Sequence, residues 1–230
     1  MSDIVGVVPA AGHATRLQPL EGSKEVLPVA GKPVMDYLVE RMRKGGCTRL
    51  RVVTRAEKTD VIAHSLELDA ELVLAEPASV SESFFTGMKG LAPDDIVLIG
   101  FPDTIWEPQD AYQVLVRAVK DGCDAALGLF RIRESDLSRS DVVTLDDGGR
   151  VVAVDVKPAR PSSDWVWGCA AAQVSAMAGL PRVEWPGGYF DQLCAEGRDV
   201  RGFPLSDEWL DIGTKDALVE AIARYPGSSS

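Results

Sequence analysis

Ile4-Val5-Gly6-Val7-Val8-Pro9-Ala10-Ala11-Gly12-His13-Ala14-Thr15-Arg16-Leu17 stands near the head of a 230-residue chain. The first five residues are apolar and mostly β-branched, and Pro9 to Gly12 stops the run. Such a run reads as a strand buried on both faces, which is the mark of a parallel sheet. In open α/β sheets ligands bind beyond the carboxyl ends of the strands, so the loop that follows is the first place to seek a site. Its small residues let backbone N–H groups come close to an anion, and Arg16 adds a fixed charge with several donors. Two common phosphate-loop patterns are missing: Ala11 and Ala14 interrupt any G-x-G-x-x-G, and no G-x-x-x-x-G-K-[ST] occurs. A nicotinamide-dependent reductase and a P-loop kinase both lose support there.

Outward from this strand, strand and helix alternate. Val34 to Lys44 carries Met35, Leu38, Val39 and Met42 at helical spacing and stops at Gly45-Gly46. Leu50–Val53, Leu72–Leu74, Ile96–Gly100 and Ala125–Phe130 read as strands. Thr59–Leu68, Ser81–Leu91 and Ala111–Val119 read as the helices between them. This alternation predicts βαβ units with right-handed crossovers on a mainly parallel sheet. After residue 131 the pattern changes. Asp141–Leu145, a turn at Asp146-Asp147-Gly148-Gly149 and Arg150–Val156 read as a β-hairpin, Trp165–Ala172 as an extended segment and Asp216–Arg224 as an amphipathic helix. We expect a single α/β domain over residues 1–225, with a mixed, mainly parallel central sheet and an antiparallel addition in the second half. The Pro-Gly-Ser-Ser-Ser tail at 226–230 is expected to be disordered.

Composition narrows the ligand. Hydrophobic residues make up 46% of the chain, enough for a sizeable core, while 24 Lys plus Arg against 35 Asp plus Glu leave a net charge of −11. Nucleic-acid polymers and anionic membrane surfaces both call for a basic face, so both are excluded as partners. Residues 12–51 nevertheless hold a charge of +4, from Arg16, Lys24, Lys32, Arg41, Arg43, Lys44, Arg49 and Arg51 against four acids. That segment suits a small, highly charged anion, although Arg41 to Arg51 is expected to be a solvated helix and turn. Cys47, Cys123, Cys169 and Cys194 are widely spaced and only His13 and His64 are present, so neither a zinc site nor a disulfide framework is expected. With no basic-then-apolar leader and no long apolar run, a cytoplasmic protein is expected.

The segment from Ala10 to Tyr37 draws these readings together: A-A-G-H-A-T-R-L, then S-K-E-V-L-P-V-A-G-K-P-V-M-D-Y. It resembles the signature of the sugar-1-phosphate nucleotidyltransferases, the glucose-1-phosphate thymidylyltransferase-like NTP-transferases, whose pattern is roughly G-G-x-G-T-R-L, P-K-x-L-x-P-V and K-P. Three later patches resemble that family in the same order. Val97 to Ile105 resembles its strand ending in G-D, Asp155-Val156-Lys157-Pro158 with Gly168 its E-K-P…G segment, and Trp209 to Thr214 its W-x-D-x-G-T. The resemblance runs from about residue 4 to 222.

It implies a Rossmann-like nucleotidyltransferase (GT-A-like) three-layer fold with a single Mg²⁺-dependent site. The implied reaction joins a nucleoside triphosphate and a sugar 1-phosphate into an NDP-sugar and pyrophosphate. On that reading Ala10, Ala11, Gly12, His13, Ala14 and Thr15 surround the nucleotide phosphates, Arg16 binds the leaving pyrophosphate and Lys24 lies against the α-phosphate. Asp103 and Asp211 hold the Mg²⁺, and Lys157 holds the sugar phosphate, with Gly168 and Trp165 beside the sugar. Lys32 is a weaker candidate, and Trp185 and Trp209 read as core. The sequence departs from the family pattern at Ala11 and Ala14, which replace glycines, and at Val156, which replaces a Glu that would accept a sugar hydroxyl. Leu74 and Ser79 replace a base-reading Gln and Gly that pyrimidine-specific members tend to have, so the base is poorly specified; dTTP or UTP is expected first and CTP or GTP next. These departures motivate an alternative, a catalytically degenerate sensor of a nucleotide or nucleotide sugar. Retention of Arg16, Lys24, Asp103, Lys157 and Asp211 together favours the enzyme. Assembly into a homo-oligomer is left open.

Overall fold

The computed structural model describes residues 2–14, 17 and 19–225; Thr15, Arg16 and the tail expected at 226–230 lie outside the described residues. Along the chain run β1 (Ile4–Pro9), the short strands β2 (Pro28–Val29) and β3 (Lys32–Pro33), α1 (Met35–Lys44), β4 (Arg49–Thr54), α2 (Thr59–Glu67) and β5 (Glu71–Leu74). Then come α3 (Val80–Met88), β6 (Ile96–Gly100), β7 (Thr104–Trp106), α4 (Ala111–Lys120) and β8 (Ala125–Arg131). The second half adds α5 (Glu134–Leu137), the hairpin β9 (Asp141–Leu145) and β10 (Val151–Val156), and the long strand β11 (Trp165–Gln173). It ends with α6 (Pro186–Ala195), β12 (Val200–Ser206), β13 (Trp209–Asp211) and α7 (Lys215–Arg224).

Nine strands among the described residues form one sheet around β1, which pairs in parallel with both β4 and β6. Next to β6 lies β11, antiparallel to it and to β8, and β12 closes that side in parallel with β8. The hairpin joins at the amino end of β11, through Val166 opposite Val142. Side-chain alternation sorts the core into two layers. Ile4, Val8, Ile96 and Leu98 pack with α1, α2 and α4, whereas Val7, Val97 and Ile99 pack with α3 and α6. The result is the three-layer α/β arrangement, mainly parallel with an antiparallel addition, that the sequence leads one to expect.

The differences have physical reasons. Helix α3 ends at Met88 rather than Leu91, because the chain leaves helical geometry at Lys89 and Gly90 takes φ +78°. Helix α6, which the sequence reading does not include, begins with Pro186-Gly187-Gly188, and proline fits the first helical turn. Strand β12 contains Gly202 and Pro204, tolerated because it pairs at the sheet edge. Strands β7 and β13 have three residues each, too few to show a period.

Arg41 corrects the expectation of a solvated run from Arg41 to Arg51. Its side chain is buried, its Nε donates to the Trp106 carbonyl at 2.7 Å, its Nη1 donates to the Tyr37 carbonyl at 2.8 Å, and Glu107 lies 3.3 Å from Nη2. Arg51 is also largely covered and donates to the Gly87 carbonyl at 3.0 Å, while Arg43 and Lys44 remain exposed. Burial lowers the Arg41 pKa, opposed by Glu107, so a desolvated charge is held against the last carbonyl of β7. Arg41→Met should therefore leave buried carbonyls unsatisfied and cost about 3 kcal/mol, read as a lower urea midpoint with an unchanged slope.

Candidate active site

Strand polarity gathers the carboxyl ends of β6 and β8 and the amino end of β11 at one edge of the sheet. A cleft of about 1240 Å³ opens there, with Lys24, Asp103, Asp211, Lys157, Trp167 and Trp185 on its wall. The two acids come from distant parts of the chain. Antiparallel pairing of β7 with β13 sets Asp211 opposite Thr104, and the Ile212 N–H donates to the Asp103 carbonyl at 2.8 Å. Asp103 is buried, and Lys24 Nζ approaches its Oδ2 to 2.5 Å. Burial opposes the charge on Lys24, but Asp103, Glu25 and Asp211 outweigh it and hold the ammonium above the ordinary lysine range.

The loop after β1 is held from behind. Lys58 Nζ donates to the carbonyls of Ala10 at 2.7 Å and Gly12 at 3.1 Å, and Arg55 Nε donates to that of Ala11 at 2.8 Å. These cations neutralise three carbonyl dipoles that would otherwise repel an approaching phosphate. Lys58 also pairs at 2.7 Å with the fully buried Glu25, the residue after Lys24. Burial pushes the Glu25 carboxyl up despite Lys58 beside it. Thus Ala10–Ala14, which are not on the cleft wall, are tied through Lys58 and Glu25 to Lys24, which is. Ala14 adopts φ +51°, the left-handed region that glycine would enter without strain. Arg55 and Lys58 were legible in principle, since they follow β4 at the same carboxyl edge.

The other wall carries Lys157, also at positive φ (+46°), with Nζ 3.0 Å from the centre of the Trp185 ring. Asp141, opposite Val156 in the hairpin, accepts from the Trp167 indole N–H at 3.3 Å. Burial pushes its carboxyl up, while Trp167, Lys157 and the Gly187 N–H act in the opposite sense. Asp155 next to Val156 accepts instead from Ser162 at 2.7 Å.

The tryptophans change places relative to the sequence reading. Trp185 and Trp209, read as core, are on the cleft wall. Trp165 is not on that wall; it packs under the Arg131 guanidinium at 4.6 Å. Gly168 acts through packing: a Cβ there would lie 2.7 Å from Trp209 Nε1 and 2.9 Å from the Phe130 ring. Lys32 is likewise away from the cleft, paired with Glu40 at 2.6 Å and stacked on Tyr37. Among the described residues no group of three or more His, Cys, Asp or Glu converges on one point, and the acids the sequence offers for a metal, Asp103 and Asp211, are two carboxylates on the same cleft wall. That donor set fits Mg²⁺, which keeps waters and phosphate oxygens for its remaining positions.

Residues 6–135 match the family described as the MobA-like NTP transferase domain. The chain belongs to that family. Among relatives of this NTP transferase, the glucose-1-phosphate thymidylyltransferase of Neisseria meningitidis serogroup A is 26% identical over 238 residues, covering 94% of the chain and 80% of that protein. The glucose-1-phosphate thymidylyltransferase of Streptomyces antibioticus is 26% identical over 231 residues, and the chain spans 64% of its length. A UDP-glucose pyrophosphorylase solved with UDP-glucose superposes with TM-score 0.83 at 16% identity over 98% of each chain. A UTP-bound UGPase from Acinetobacter baumannii gives TM-score 0.80 at 15% identity, covering 98% of this chain and 93% of that one. The fold is shared, and the resemblance seen in the motifs is borne out.

The Lys58–Glu25 clamp makes a testable statement about pH. Lys58→Met leaves a buried carboxylate without its partner, at a cost of about 3 kcal/mol near neutral pH. A carboxyl whose folded pKa lies above its unfolded value is penalised at high pH and relieved as pH falls through the folded value. The stability deficit of the variant against the parent should therefore shrink as the pH is lowered from neutrality in urea unfolding.

Proposed function

We propose that this NTP transferase moves a nucleoside monophosphate from a nucleoside triphosphate to a sugar 1-phosphate, releasing pyrophosphate and an NDP-sugar. The observation that carries the reading is the convergence of Lys24, Asp103 and Asp211, from three separate segments, in the same cleft as Lys157. The relatives named for glucose-1-phosphate thymidylyl transfer support it.

The attacking phosphate oxygen of a sugar 1-phosphate is already ionised near neutral pH, so the site needs no general base. Its work is to hold two anions in line and to neutralise the charge that develops at the α-phosphorus. Lys24 follows that charge with a mobile ammonium. Lys157 holds the incoming phosphate, and the leaving pyrophosphate is assigned to Arg16, which lies outside the described residues. Asp103 and Asp211 would hold a Mg²⁺, which would supply charge neutralisation on the phosphate oxygens. The thymidylyl relatives support dTTP as donor, with UTP the other first expectation from the sequence. We place the reaction in the cytoplasm, as the sequence leads one to expect.

A pyrophosphate-release screen with each nucleoside triphosphate, Mg²⁺ and a panel of sugar 1-phosphates should find turnover with a pyrimidine nucleotide. Nucleotide binding without turnover in any pair would instead establish a sensor. Asp103→Asn should lower the rate about 100-fold or more while the fold persists, because it removes a charge that has to be in place in the transition state. Near-normal turnover in that variant would refute the role.

A further inference from the structure

We propose that Asp141 determines sugar specificity: its carboxylate accepts hydrogen bonds from the ring hydroxyls of the sugar 1-phosphate. The identity of that ligand rests on the function proposed above; the need for a hydroxyl donor beside Lys157 rests on the geometry.

A carboxylate in a cleft for two phosphorylated anions repels both, so each acid on the wall needs a reason. Asp103 and Asp211 have Lys24 and a fitting cation site. Asp136 and Glu220 are answered by Arg139 and Arg133, and Asp207 and Asp216 are exposed. Asp141 is different, because it is set into the wall. Trp167 donates to its Oδ2, and the same oxygen is so close to the start of α6 that a Cβ at Gly187 would lie 2.3 Å from it. Any side chain at position 187 would displace the carboxylate, so the backbone is shaped to receive it. No third acid joins it in a metal-binding group among the described residues.

A carboxylate offers about four acceptor sites, more than two protein donors fill. Lys157 begins one residue beyond Val156, the hairpin partner of Asp141, and its charge acts on Asp141. A cation beside an anchored acceptor matches a ligand with a phosphate on one carbon and hydroxyls on the next. Inorganic phosphate offers only the first half of that match.

The test is tryptophan-fluorescence titration of the full chain, since Trp167 and Trp185 border the site. Glucose 1-phosphate, mannose 1-phosphate and inorganic phosphate are each titrated into the parent and Asp141→Asn. The parent should bind at least one sugar phosphate about tenfold more tightly than inorganic phosphate, and Asp141→Asn should lose that preference without weakening inorganic phosphate. A preference kept in the variant, or absent from the parent, overturns the proposal. Should Asp141→Asn melt early, deoxy analogues of the preferred sugar phosphate serve on the parent: one hydroxyl deletion must cost about tenfold, and uniform affinity overturns the proposal. Failure of every nucleotide pair to release pyrophosphate would overturn the proposed reaction, while this binding preference would still be read directly.

Discussion

The guanidinium of Arg41, closed in the interior against the carbonyl of Trp106, is the contact on which the candidate site depends. A buried charge is tolerated only when its donors are used, and here they fall on the backbone of α1 and on the end of β7. A three-residue strand has little cohesion of its own, so the latch gives β7 a fixed place beside the main sheet. β13 then has an edge to pair with, and the packing of Ile105, Leu210 and Ile212 with Ala221 seats α7 on the same unit. Asp103 and Asp211 are aligned as a by-product of this chain of contacts.

Electrostatics around the cleft follow one pattern, in which each cation does double duty. Lys24 answers Asp103 and feels Asp211; Lys58 answers Glu25 and quiets the loop carbonyls. The segment that carries positive charge in an otherwise acidic protein thus includes both a group at the cleft, Lys24, and structural ones. Arg41 belongs to the second kind.

Much of this was legible in the residues. The run Ile4–Val8 announces a two-faced buried strand, Asp103 and Asp211 stand out because neither acid would stabilise an apolar strand, and Lys24 stands out through the family-like motif around it. Arg41 did not stand out, because beside Arg43 and Lys44 a helical arginine reads the same whether it meets water or a carbonyl. The indoles could not be sorted either: Trp165 and Trp185 are equally apolar, and only the tertiary path of β11 and α6 decides which one borders the cleft. Asp141 was hidden at the start of a hairpin, where an acid is ordinary. Its meaning comes from Gly187, which is 46 positions later in numbering and adjacent only in three dimensions.

The pairing of β7 with β13 also bears on how the protein comes into being. Of the two acids, Asp103 emerges from the ribosome long before Asp211, and the stretch matched by the family, residues 6–135, contains only the first. A nascent chain that has made β7 still lacks the strand that brings the second acid beside it. The two carboxylates share the cleft only once β13 has been made and has found β7.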